Sequence, residues 1–166
     1  MGSGTEESFR ILHVDDDESL IDVTAAFLTE ADGRFSVEGA TSGAAGLERL
    51  DSDIDCIISD YGMPEMNGIE FLRAVREARP DLPFIIFTGK GSEEVASDAI
   101  SAGVTDYLQK GTGTDQYTLL ANRVSNAIES YAAERAARAT ERRFETLLAE
   151  PADYVCELTT DGTVEY

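Results

Sequence analysis

The stretch that most restricts what this chain can become is residues 54–68. An apolar, β-branched run, 54–58, stops abruptly at Ser59-Asp60. Turn chemistry follows, with Gly62 and Pro64, and Asn67-Gly68 then leads into a helical pattern. A buried strand that ends in a carboxylate and passes through a Gly/Pro loop to a helix is how parallel α/β sheets present reactive groups. The residues around it repeat the theme. Residues 9–14 are a short apolar run ended by Asp15-Asp16-Asp17. Leu20, Val23, Thr24, Phe27 and Leu28 recur at helical spacing behind an aspartate N-cap. Residues 35–40 read as a second strand, and Ser42 opens a short helix carrying Leu47 and Leu50. The helix after Asp60 carries Ile69, Leu72 and Val75 and ends before Pro80. Residues 83–88 are a fourth strand whose unbroken hydrophobicity calls for cover on both faces. A helix over 92–102, a fifth strand over 104–109 and a long helical pattern from Thr114 complete the series.

Five such strand–helix repeats predict an α/β fold: a doubly wound, five-stranded parallel sheet with right-handed crossovers and an extended C-terminal helix. In the flavodoxin-like order 2-1-3-4-5, the strands' carboxyl ends bring Asp15, Asp16, Asp60, Thr88 and Lys110 to the switch point between strands 1 and 3. Carboxylates crowded together repel one another and are costly to desolvate. A hard divalent cation on Asp16 and Asp60, with Asp15 at or near it, resolves the conflict, and so few protein ligands favour magnesium over calcium. A carboxylate beside such a cation is a nucleophile for phosphorus. Lys110 offers a compact positive charge for a phosphoryl oxygen, and the Thr88 hydroxyl can hydrogen-bond another. It is one of two lysines in the chain.

Composition narrows the partners. The chain has 166 residues, with 33 acidic against 13 basic side chains and a net charge of −20. Nucleic acid and anionic membranes would be repelled by that surface. The acid-rich, lysine-poor balance resembles that of haloarchaeal proteins, where molar salt screens self-repulsion. Cys56 and Cys156 have no metal-like spacing, and Cys56 inside the third apolar run fits a reducing cytoplasm. No apolar run approaches the ~18 residues of a membrane span, and nothing at the start reads as a secretion leader. Residues 1–4 read as a flexible leader.

At this point the residues match a family. Asp15-Asp16 after strand 1, Asp60 with Met63-Pro64 after strand 3, Thr88-Gly89 after strand 4, and Tyr107 with Lys110 around strand 5 closely resemble the receiver domain of two-component response regulators. The resemblance covers residues 8–130. It implies that Asp60 accepts a phosphoryl group from the phosphohistidine of a histidine kinase or phosphotransfer protein. It implies that Asp15, Asp16, Asp60 and the Gly62 carbonyl hold Mg2+. It further implies a switch in which Thr88 moves toward the phosphate and Tyr107 turns inward, altering the face of the fourth helix, fifth strand and fifth helix. On this reading the segment is a phosphoacceptor rather than an enzyme, although a longer parent could carry a kinase. Two departures stand out. Gly111 follows the lysine where the family has proline, so no cis bond is expected there. Gly62 and Lys90 occupy positions where the family tunes dephosphorylation.

Beyond Tyr131 the pattern becomes almost wholly Ala, Glu and Arg, with Glu134 and Arg138 paired at i,i+4. Residues 131–149 are read as a helical linker, which suggests a homodimer through the fifth helix and linker. The helix is expected to end at Pro151. Residues 154–158 and the turn at Thr160-Asp161-Gly162 then resemble the opening strands of a PAS-like domain over 150–166. The implied parent is a receiver–linker–PAS sensor protein.

Several plainer readings apply. Asp17 is a helix cap rather than a ligand. The Asp51-Ser52-Asp53 segment lacks the glycine and glutamate of a calcium loop. His13 is a core-edge side chain of strand 1, and Gly89-Lys90-Gly91 lacks the spacing of a nucleotide loop. Two rival functions share the fold. A haloacid-dehalogenase-like phosphatase would use Asp15 as nucleophile but leaves Asp60 without a role. An FMN-binding flavodoxin-like module would place its phosphate against three aspartates, which repel it.

Overall fold

The computed structural model describes residues 8–158 apart from Lys90 and Thr112, with side chains described as far as residue 140. The elements are β1 (Phe9–Val14), α1 (Glu18–Ala31), β2 (Phe35–Ala40), α2 (Gly43–Arg49), β3 (Ile54–Ser59), α3 (Gly68–Ala78), β4 (Phe84–Thr88), α4 (Glu93–Ser101), β5 (Asp106–Gln109) and α5 (Asp115–Leu158). All strand pairs are parallel, in the order β2-β1-β3-β4-β5. The flavodoxin-like α/β sheet expected from the repeat is therefore the fold.

Side chains of successive strand residues point to opposite faces, so each central strand feeds two cores. Ile11, Cys56, Ile58, Ile85 and Phe87 pack with Leu28 of α1 and with Tyr117, Leu120, Val124 and Ile128 of α5. On the other face Phe71 of α3 lies against Phe84, with ring centroids 5.5 Å apart. Gly46 of α2 sits so close to Phe71 and Val14 that a Cβ there would come within 2.9 Å of both. Leu12, Ile57, Leu72 and Val75 have no solvent exposure. Truncating any of them to alanine should cost about 2–5 kcal/mol.

Helix starts follow local chemistry. Asp17 caps α1 by accepting from the Ser19 N–H, and Ser42 and Ser92 cap α2 and α4. Asn67 and Glu70 form a reciprocal capping box at α3. β5 begins two residues later than its hydropathy suggests. The Val104 N–H is spent on the carbonyl of Ala99 at the end of α4; bonding to β4 opens with the Thr105 N–H donating to the Phe84 carbonyl, and the paired register starts at Asp106.

The chain divides into two compact units, the first ending at Glu129 and the second beginning at Ser130. In the second unit residues 132–140 are exposed helix, with the Glu134–Arg138 pair at 3.7 Å. Pro151 does not end this helix, and 154–158 are helical rather than extended. A strand needs a neighbour for its backbone groups, and among the described residues every strand lies before Ser130. A helix satisfies those groups within itself. The expected turn at Thr160-Asp161-Gly162 lies outside the described residues.

Candidate functional site

The carboxyl ends of β1 and β3 are laced together. The Asp60 N–H donates to the carbonyl of Val14 at 2.9 Å, and the Asp15 N–H donates to that of Ala40 at 3.0 Å. These bonds carry the sheet ladder one residue beyond the strands and set Asp15 and Asp60 side by side. Asp15 is 1% exposed and Asp60 7%, whereas Asp16 faces solvent. One carboxylate oxygen from each of the three lies within 4.8 Å of the others.

Lys110 enters from the end of β5, fixed by its own N–H donating to the Thr88 carbonyl at 2.9 Å. Its Nζ donates to Asp15 Oδ2 at 3.0 Å and stands 3.9 Å from Asp60 Oδ1. The Phe87 ring lies beneath the same ammonium, 5.7 Å away. Asp15 Oδ1 accepts the Asp17 N–H at 2.9 Å. Asp60 Oδ1 accepts the Tyr61 N–H at 2.8 Å, which leaves Oδ2 as its freer oxygen. Thr88 is wholly buried at the end of β4.

The electrostatics are those of an acidic pocket short of positive charge. Burial pushes the Asp15 carboxyl above the ordinary carboxylate range; the Asp17 N–H and Lys110 oppose that rise, and the charge on Asp60 adds to it. Three oxygen-only side chains at this separation, two of them buried, suit a hard divalent cation.

The loop out of β3 is equally constrained. The Gly68 N–H donates to the Tyr61 carbonyl at 2.8 Å, and a Cβ on Gly68 would fall 2.3 Å from the Asp60 carbonyl oxygen. Only glycine allows the chain to double back so closely behind the acid. Glu65 takes a positive φ of 72° in the same loop. Gly62 is half-buried two residues after Asp60.

The structure thus brings Asp15, Asp16, Asp60 and Lys110 together, with Thr88 on the adjacent strand end. Tyr107 lies one strand further out, its hydroxyl buried without a hydrogen-bond partner among the described residues. Three features went unread in the sequence: the two backbone N–H groups that hold Asp15 and Asp60, and the close approach at Gly68. Asn67-Gly68 was visible as a turn, but its contact with the Asp60 carbonyl was not. His13 is also corrected. It is fully buried rather than at a core edge, because β1 is a central strand, and neither ring nitrogen has a partner among the described residues. Burial first, and then Lys110, push its pKa down to about 3.

Comparison with known proteins decides the family. The sequence model of the response regulator receiver domain matches residues 11–122. The chain belongs to the response regulator receiver domain family. The receiver is the phosphoacceptor module of two-component systems, and response regulators receive phosphoryl groups from histidine kinases. Response regulator SaeR of Staphylococcus aureus (strain USA300) is 30% identical over 121 residues, covering 73% of this chain and 52% of its own length. The chain thus spans about half the length of the curated relatives it matches. A receiver domain protein of Clostridium thermocellum superposes with a TM-score of 0.66 at 30% identity, over 75% of this chain and 98% of its own. A CheY-like receiver of Methanospirillum hungatei JF-1 gives 0.69 at 26% identity, over 77% and 99%.

Proposed function

We propose that this receiver takes a phosphoryl group onto Asp60 from the phosphohistidine of a histidine kinase or phosphotransfer protein. The observation that carries the reading is the convergence of Asp15, Asp16 and Asp60 within 4.8 Å beside Lys110. Asp60 Oδ2 forms the new bond to phosphorus as the phosphorus–nitrogen bond of the donor breaks and the imidazole leaves. The Tyr61 N–H holds the other oxygen of Asp60 and aims the carboxylate. Lys110 is released from Asp15 to meet a phosphoryl oxygen, and Thr88 donates its hydroxyl to another. Asp15, Asp16, Asp60 and the Gly62 carbonyl are the groups that would hold Mg2+. Bound there, the ion supplies positive charge to the carboxylates and to the phosphoryl oxygens. Thr88 moves toward the phosphate, and Tyr107 carries the change to the face formed by α4, β5 and α5.

The domain parse belongs to the same proposal: receiver over 8–130, linker over 131–149, and the start of a PAS-like domain over 150–166 in a longer sensor protein. The −20 charge and two lysines support a halophilic setting. The exposed helix over 132–140 supports a homodimer contact through α5 and the linker.

The test is intact-mass analysis after treatment with acetyl phosphate and Mg2+ in molar salt, with wild type beside Asp60→Asn and Asp15→Asn. One phosphoryl group on wild type, mapped to Asp60 and lost in Asp60→Asn, is expected. A group that persists in Asp60→Asn and maps to Asp15 would move the protein to the phosphatase reading.

A further inference from the structure

Gly89-Lys90-Gly91 is the motif that the phosphoacceptor reading leaves unused, and Gly91 lies directly over Tyr107. A Cβ built on Gly91 would stand 2.0 Å from the Tyr107 hydroxyl oxygen, 3.1 Å from Cζ of the same ring and 2.7 Å from Nε2 of Gln109. Glycine is not needed there for its backbone. Among the described residues only Gly103, Gly113 and Glu65 have a positive φ. What position 91 contributes is the absence of a side chain, which opens a slot that the Tyr107 ring fills.

The ring in that slot is held by shape rather than by polar contacts. Its hydroxyl is buried and unpartnered among the described residues, an arrangement that disfavours the inward position. The backbone beneath it is well anchored. The Tyr107 N–H donates to Asp106 Oδ1 at 2.9 Å, and Arg123 of α5 donates to Asp106 Oδ2 at 2.6 Å. A ring with a penalised hydroxyl on a fixed backbone moves by rotating its side chain. Gly91 immediately precedes Ser92, whose hydroxyl caps α4 by accepting the Val95 N–H at 3.1 Å. Whatever fills the slot therefore bears on the start of α4.

We propose that Gly91 is the residue that sets the resting position of Tyr107. With no side chain at 91, Tyr107 occupies the inward position before any phosphoryl group arrives, and the size of residue 91 governs the inward population. A methyl group at 91 closes the slot and turns the ring out. The inference rests on the reading of Tyr107 as the switch, but the gate itself is a steric statement that stands or falls separately.

The experiment uses the full chain labelled with 3-fluorotyrosine. The Tyr107 resonance is assigned by its loss in Tyr107→Phe, and its exposure is measured by broadening from a soluble paramagnetic agent. In wild type without phosphate donor, Tyr107 is expected to be shielded. In Gly91→Ala the shielded population should fall about tenfold or more. The resonances of Tyr117 and Tyr131 should be unchanged, and the same protein should melt cooperatively. Gly91→Ser, which adds a similar volume with a polar tip, should give the same loss. Tyr107 as well shielded in Gly91→Ala and Gly91→Ser as in wild type would overturn the proposal, as would a wild-type Tyr107 that is already exposed. Intact mass after acetyl phosphate and Mg2+ is read on the same samples. Absence of an Asp60 phosphoryl group would sink the phosphoacceptor reading and leave the gate intact. Normal phosphorylation with an unmoved Tyr107 would sink the gate alone.

Discussion

β1 carries a cluster of three carboxylates beside one cation at each of its ends, and the two clusters differ most in burial. At the amino end Arg10 reaches Glu38 at 2.6 Å, Asp51 at 3.3 Å and Asp53 at 3.8 Å, all in contact with water. At the carboxyl end Lys110 faces Asp15 and Asp60, with Asp16 beside them. There Asp15 and Asp60 are buried and water cannot screen their excess negative charge. The same count of charges ties an edge together in one place and leaves an unmet demand for positive charge in the other. Burial, not composition, separates the structural cluster from the functional one.

The comparison can be broken first at the two cations. Lys110→Ala is expected to slow phosphorylation of Asp60 by acetyl phosphate about 100- to 1000-fold. Arg10→Ala should leave that rate within about twofold, since exposed pairs contribute little. Equal losses in the two variants, measured by intact mass against time, would erase the distinction.

His13 lies on β1 between the two clusters, and its burial predicts a pH effect. Its folded pKa of about 3 is below the ordinary value of 6.5. Between these limits the unfolded chain binds the extra proton, so the stability that neutral His13 supports is present above pH 6.5 and lost as pH falls toward 3. Urea unfolding from pH 7 to pH 4 should show a fall of a few kcal/mol. His13→Leu should flatten that slope and stabilise the fold, because neither ring nitrogen has a partner among the described residues. A slope as steep in the variant as in wild type would place the acid sensitivity elsewhere.

Metal sharpens the contrast further. Saturating Mg2+, at about 100 times its dissociation constant, should stabilise wild type by about 2.7 kcal/mol. Asp15→Asn should lose most of that gain, and Glu38→Gln in the exposed cluster should keep it. Calorimetry with and without the ion reads both.

The smallest effect concerns the metal-free protein. The raised pKa of Asp15 means that its ionised form is disfavoured by folding. Its contribution is greatest below the ordinary carboxylate range and is lost as pH rises through the raised value. Near neutral pH without metal, Asp15→Asn should therefore stabilise the fold by about 1 kcal/mol. Glu38→Gln should shift stability by less than about 1 kcal/mol in either direction. Destabilisation by Asp15→Asn would mean that its bonds to Lys110 and the Asp17 N–H outweigh burial.

Much of the site was legible because its signals are local. Asp60 at the end of an apolar run, the Gly62–Pro64 turn, and Lys110 after β5 each read from a few neighbouring residues. So did the N-cap at Asp17 and the helix starts at Ser42, Asn67 and Ser92. His13 was misplaced because burial of a strand residue depends on which strands flank it. Tyr107 and Gly91 are 16 positions apart, and no local pattern shows that one fills the space left by the other. Pro151 failed as a helix stop because a proline rule weighs one residue, whereas the helix is decided by what else could satisfy its backbone.

What this sequence determined alone is the alternation of strand and helix, the acids that end β1 and β3, and the lysine that ends β5. Backbone geometry and hydropathy act over a handful of residues, and those features need nothing more. The tertiary structure decided which charges are buried, which backbone N–H groups hold the carboxylates, and which glycine makes room for which ring. Those outcomes depend on surfaces brought together from distant parts of the chain, where the dielectric and the free space are set by the packing itself.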